Sequence, residues 1–109
     1  MAKGTLGSAT YLNDTATHVV YTVPSGMSAA VVTLNVCNRM TTATAVSVGI
    51  ERSGNSGTLS NGEYLEYETS VIGHSVMERS GILLSVGDSV VIKASVANSI
   101  DVNIWGIEE

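Results

Sequence analysis

Short segments in which apolar and polar residues alternate recur along this chain, and they constrain its fold more than any other feature. The longest is Ala29–Asn38. Its first face carries Val32, Leu34 and Val36, and its second face carries Val31, Thr33, Asn35 and Cys37. Because successive side chains of a β-strand point to opposite faces, this pattern predicts a strand with one face in a core.

Such segments return every ~8 to 15 residues, separated by clusters of Gly, Asn, Ser and Asp. We expect strands at Ala9–Leu12, Thr17–Val23, Ala29–Asn38, Thr44–Arg52, Glu63–Thr69, Ser75–Arg79 continuing through Gly81 to Ile82–Leu84, Val90–Val96, and Ile100–Ile107. The rhythm predicts an all-β fold, an antiparallel β-sandwich of about eight strands that is jelly-roll-like. An immunoglobulin-like sandwich is the alternative topology, although its usual Cys…Trp…Cys spacing is absent.

The composition agrees with one β-sandwich domain covering residues 1–109. A chain of 109 residues is too short for two stable cores. Val and Ile are abundant, and both suit a pleated surface because their branched side chains are stiff. Charged residues make up 14% of the chain, so Ser, Thr, Asn and Gly must cover most of the surface. Residues 1–16 are a candidate extended docking arm.

The charges and the single cysteine exclude several classes of protein. The net charge is −5, and the five Lys and Arg residues are scattered, which argues against a nucleic-acid partner. No apolar run approaches the ~20 residues of a membrane span. The first ten residues lack the apolar region of a signal peptide. One cysteine permits no intrachain disulfide and fits folding in a reducing cytoplasm.

No catalytic or metal-binding pattern is present in the sequence. His18, His74 and Cys37 are widely spaced, whereas zinc ligands normally include a closely spaced pair. Glu66 and Glu68 would share one strand face about 7 Å apart, a spacing compatible with a glycosidase, but any acidic, solvated strand gives the same spacing. We therefore expect no enzymatic activity, no cofactor, no metal and no small-molecule substrate.

Apolar residues on the second face of several strands predict a contact surface. A sandwich needs one apolar face per strand, so further apolar residues indicate an exposed patch, and such patches mark interfaces. The predicted interface consists of Val20, Val31, Thr33, Asn35, Cys37, Val91, Trp105 and Ile107. Self-association is expected, with a trimer favoured.

Several turn signatures, in order, carry a family resemblance that spans Tyr21 to Glu109. They lie in the segments "YTVPSG", "VTLNVCNR", "NGEYLEYET", "VMERSGILLSVGDSVVIKAS" and "VNIWGIEE". Together these segments resemble small, jelly-roll-like virion structural proteins of tailed bacteriophages, including cyanophages. Because that family is structural, the resemblance implies no catalytic residues.

The resemblance implies a bacteriophage virion structural protein, most simply a capsid decoration or cement subunit. A neck, tail or fibre component is the first alternative. A carbohydrate-binding jelly roll for host recognition is the second. Few aromatic residues are available to stack on a sugar: Tyr11, Tyr21, Tyr64, Tyr67 and Trp105. The expected partners are copies of the chain and other virion proteins such as the major capsid protein. The expected location is the virion, after folding in the host cytoplasm.

Overall fold

The computed structural model describes residues 4–52, 59 and 61–109, with the backbone alone for residues 4–11. Its elements are strands: β1 (Gly4–Leu12), β2 (His18–Thr22), β3 (Ala29–Asn38), β4 (Thr44–Glu51), β5 (Tyr64–Val71), β6 (Val76–Ser85), β7 (Ser89–Ala94) and β8 (Ile100–Glu108). Within these ranges there is no helix long and apolar enough to cross a membrane.

The strands form two four-stranded antiparallel sheets. Sheet I has the order β1-β8-β3-β6, and sheet II has the order β2-β7-β4-β5. The pairs are nested, with β1 on β8, β2 on β7, β3 on β6, and β4 on β5, as if one long hairpin were rolled up. This arrangement is a jelly roll, so the predicted fold class is confirmed. Of the connections between successive strands, only β4 to β5 stays within one sheet.

The core lies between the sheets, and the buried hydrophobic side chains that the structure describes there are aliphatic. On β3, the inward residues Val32, Leu34 and Val36 are at most 1% exposed. On β7 and β8, the inward residues are Val90, Ile92, Ala94, Ile100, Val102 and Ile104. Each buried aliphatic side chain of this size stabilises the fold by roughly 1.5–3 kcal/mol. The alternation in the sequence therefore predicts the inner faces of these strands.

Most strand boundaries lie within one or two residues of the predicted ones. Strand β3 has the predicted limits, and β8 extends one residue further than expected. Strand β1 differs most, because it begins at Gly4 rather than Ala9 and pairs with β8 along its whole length. Residues 4–12, predicted as part of a docking arm, are therefore an edge strand of sheet I.

Bulges interrupt the regular alternation of three strands. The register shifts between Val19 and Tyr21 on β2, between Val32 and Leu34 on the β3–β6 pair, and twice on the β4–β5 pair. A bulge places two residues opposite one, so side chains beyond it change faces relative to a strict period of two. Glycine at position 81 has a φ of +70°, and Glu68 has a φ of +48°.

Asn38, at the end of β3, joins the 39–43 loop to the 72–75 loop at one end of the sandwich. Its side chain has no exposed surface. Its Nδ2 donates to the carbonyl oxygens of Thr42 and Val71 at 2.9 Å and of Ile72 at 3.3 Å. Its Oδ1 accepts from the Met40 N–H at 2.9 Å. Because buried polar groups must find partners, this one amide replaces the water that the loop backbones would otherwise require.

Two polar contacts join the sheets along their margins. Tyr21 of β2 donates its hydroxyl to the Glu108 carboxylate of β8 at 2.5 Å. Burial, and then this hydrogen bond, raise the pKa of Tyr21 above its usual value. Arg79 of β6 donates to Glu66 of β5 at 2.6 Å, and Glu66 also accepts from the Thr69 hydroxyl at 2.7 Å. These contacts fix how the two sheets are placed on one another.

Replacing Asn38 with alanine is expected to lower the free energy of unfolding by about 3 kcal/mol, because the buried loop carbonyls lose their donors. Chemical denaturation measures the difference. The matched control is Asn103→Ala, on the exposed side of β8, which should change stability by less than about 0.5 kcal/mol. Equal effects of the two substitutions would contradict the role given to Asn38.

Candidate functional site

The outer face of sheet I is the surface on which most of the predicted interface lies. Along β3, Val31, Thr33, Asn35 and Cys37 point outward because they alternate with buried core residues. On the neighbouring β8, Trp105 pairs with Thr33. Partners in an antiparallel pair have Cβ atoms about 4.5–5.5 Å apart, so these side chains form one continuous surface.

One half of this face is apolar. The strand register places Leu83 of β6 and Ile107 of β8 on either side of Val31. Their exposed fractions are 64% for Leu83, 48% for Val31 and 62% for Ile107. Trp105, 43% exposed, extends the row by one step toward the middle of the face. We call Val31, Leu83, Trp105 and Ile107 the apolar patch.

The other half of the face is polar and charged. Asn35 donates to Glu78 across the β3–β6 pair at 3.5 Å. Arg39 and Asp101 form an ion pair with 3.1 Å between Nε and Oδ1. Cys37, a free thiol, is half-buried between its register partners Val76 and Asp101. The two ends of the face therefore differ, with the apolar patch at one end and an ion pair at the other.

The structure brings six of the eight predicted interface residues together on this face: Val31, Thr33, Asn35, Cys37, Trp105 and Ile107. Sequence reasoning missed Leu83 and Val76 of β6, whose exposed fractions are 64% and 56%. Because of the bulge in the β3–β6 pair, the sequence pattern does not indicate which side chains of β6 point outward. The available signal was the run Ile82-Leu83-Leu84, in which an apolar residue occupies the outward position between two buried ones.

The prediction that Val20 and Val91 are exposed was wrong, and both belong to sheet II. The bulge in β2 turns Val20 toward the core, and Val19 is exposed instead. Val91 is 0% exposed. It pairs with Gly49, where an added Cβ would lie 2.5 Å from the Glu63 carbonyl oxygen. The chain just before β5 thus covers this part of sheet II.

The acidic residues and histidines considered for chemistry lie apart from one another. Glu66 points toward Arg79, whereas Glu68 lines the outer face of sheet II, so the two carboxylates do not share the predicted face. His18 contacts Asp14 at 2.7 Å, and this hydrogen bond, followed by one from the Ala16 N–H, lowers the pKa of Asp14. His74 lies in the β5–β6 turn. Among the described residues, no three His, Cys, Asp or Glu side chains are grouped to hold a metal.

Comparison with solved structures finds the same fold elsewhere. A chain from the acidic stable capsid structure of Helicobacter pylori bacteriophage KHP30 has a TM-score of 0.58 and 15% identity, covering 99% of this chain and 87% of that chain. A chain from Bacillus endospore appendages, described as a novel family of disulfide-linked pili, has a TM-score of 0.58 and 13% identity, covering 98% and 85%. A chain of the cyanophage Pam1 capsid asymmetric unit has a TM-score of 0.49 and 16% identity, covering 97% and 83%.

At these identities the likeness to the first two structures shows a shared fold. A chain from a phage capsid structure is thus among the neighbours of this jelly roll. No protein-family model and no curated protein matches the chain.

Proposed function

We propose that this chain is a non-enzymatic virion structural protein of a bacteriophage, acting as a capsid decoration or cement subunit. The observation that carries the proposal is the apolar patch on the outer face of sheet I. Large continuous apolar surfaces that are open to water mark contacts with other proteins, membranes or ligands. In this reading, a neighbouring subunit covers Val31, Leu83, Trp105 and Ile107.

The side chains of the patch suit a permanent contact. Val31 and Ile107 are β-branched, so they lose little rotamer freedom when covered. Trp105 supplies the largest single area that burial could remove from water. The patch contains no charged residue whose desolvation would offset this gain, and the Arg39–Asp101 pair lies toward the opposite end of the face. In this proposal the apolar half of the face supplies the energy of the contact, and the charged half sets the orientation of the neighbouring subunit.

The partners we propose are copies of this chain, arranged as a trimer, together with other virion proteins such as the major capsid protein. In a trimer with threefold symmetry, the same head-to-tail contact occurs three times and the ring of subunits closes. We propose that residues 1–16 act as a docking element and extend this contact. They include strand β1, which lies at the edge of sheet I beside the patch. The protein would fold in the host cytoplasm and reside in the virion.

The structural neighbours support this proposal through their fold alone. The KHP30 chain comes from a capsid structure and the Bacillus chain from pili, so this jelly roll occurs in two kinds of assembly. Jelly rolls also serve lectins and cupins, which means that the fold does not determine the function. The exposed surface of this chain, rather than its fold, therefore supports the assembly role.

The variant Leu83→Lys is expected to dissociate the trimer, because assembly would bury an unpaired charge. The association constant should fall by about a hundredfold or more, equivalent to about 3 kcal/mol. Tyr67→Lys is the matched control, since Tyr67 has the same 64% exposed fraction and lies on sheet II. Sedimentation velocity at micromolar concentration measures both variants against the unchanged protein.

A stable monomer of the unchanged protein at micromolar concentration would count against the self-association proposal. Equal dissociation by Leu83→Lys and Tyr67→Lys would count against the choice of face.

Position in the particle is tested by immunogold electron microscopy of purified phage from the source of this chain. A decoration or cement subunit predicts gold distributed over the whole capsid. Gold confined to the neck, tail or fibres would replace the decoration role with one of those alternatives. Particles without gold, alongside labelled major capsid protein as a positive control, would contradict a virion role altogether.

A further inference from the structure

The outer face of sheet II holds a groove that the assembly proposal does not use. Its volume is about 390 Å³, within the range of small-molecule sites. Strands β4, β5 and β7 form its floor, and Leu59 and the β1–β2 connection form its sides. Because the two outer faces of a sandwich point away from each other, a subunit on the apolar patch would leave this groove open.

Two tyrosines line the groove, and a bulge brings them together. A strict period of two places Tyr64 and Tyr67 on opposite faces of β5, but the register shifts in the β4–β5 pair put both on the outer face. Their ring centroids are 4.9 Å apart with an interplanar angle of 86°. In a T-shaped pair the edge of one ring covers one face of the other, so the remaining ring faces stay available. Tyr67 is 64% exposed.

The walls of the groove present polar groups. Glu68 and Lys93 place a carboxylate and an ammonium at its margin, and neither side chain forms an ion pair within the described part of the chain. The hydroxyls of Thr15, Thr17 and Ser47 also line it. Ser47 accepts from the Glu68 N–H at 2.9 Å, which holds the bulge in place. Hydroxyl donors and acceptors thus surround an aromatic surface.

We infer that this groove binds a saccharide, with one pyranose ring stacked on Tyr67. A pyranose has an apolar C–H face that suits an aromatic ring and a rim of hydroxyls that both donate and accept hydrogen bonds. The Lys93 ammonium and the Glu68 carboxylate can form charge-assisted bonds with such hydroxyls.

An extended peptide fits the groove less well. The groove lies over the face of β4 and β7, whose backbone groups are already paired within sheet II, and its β5 margin is a sheet edge. A peptide that adds to a sheet requires a free edge with unpaired backbone groups. A peptide that paired with the edge of β5 would lie beside the sheet, not over its face, so a ligand in the groove is held by side chains, as a sugar is.

The test is saturation-transfer NMR on the intact chain with the methyl pyranosides of glucose, galactose, mannose and N-acetylglucosamine at millimolar concentration. At least one of these probes should receive saturation from the protein. Tyr67→Ala should weaken its binding about tenfold by removing the stacking surface. Lys93→Ala, which leaves both rings in place, should weaken it several-fold.

Trp105→Ala is the control for removal of an exposed aromatic residue, because Trp105 lies on the opposite sheet. It should leave saturation transfer unchanged while weakening self-association, so the two proposals fail independently. No transfer to any probe, or equal transfer to the unchanged protein and both groove variants, would overturn the saccharide site. Binding of peptides from a tryptic digest of casein, with no pyranoside binding, would overturn it as well.

Discussion

The packing of sheet I against sheet II is the interaction on which the rest of the structure depends. It buries one residue in two along each central strand, and this fixes which side chains point away from the core. The inward residues on β3 are Val32, Leu34 and Val36. Because side chains alternate along a strand, Val31, Thr33 and Asn35 face outward. Among the residues whose side chains are described, the buried core is aliphatic, and Trp105 lies outside it.

The two outer faces that result differ in character. Sheet I presents the apolar patch next to a charged half. On sheet II, the chain before β5 lies over Gly49, whose missing side chain leaves room for Leu59 and the Glu63 carbonyl. One face is thus suited to contact with another protein surface, and the other encloses a small polar groove. Under the two proposals, one jelly roll would combine attachment to a particle with recognition of a ligand.

The regular strands could be predicted from the sequence because a period of two identifies both a strand and its facing. For β3 and β8, alternation gave the core face and six of the eight predicted interface residues. The failures occur at bulges, which no local pattern announces. They account for the wrong placement of Val20, the missed exposure of Leu83, and the unexpected meeting of Tyr64 and Tyr67.

The burial of Val91 could not be predicted either, since it depends on a chain segment that folds back over the sheet. Asn38 is a different case. It occupies the inward phase of β3, after Val32, Leu34 and Val36, and a polar residue at such a position indicates a buried hydrogen-bonding role. The sequence contained that signal, but its partners in the 39–43 and 72–75 loops are visible only in the fold.

We propose that a neighbouring subunit covers the outer face of sheet I. Trp105 is the only tryptophan in the chain and lies in the apolar patch, so its fluorescence reports directly on that face. The measurement is its emission and its quenching by acrylamide as the unchanged protein is diluted. Coverage predicts emission at shorter wavelength and weak quenching at high concentration, with both reversing on dilution. Emission and quenching that stay constant while the protein associates would show that the contact lies elsewhere.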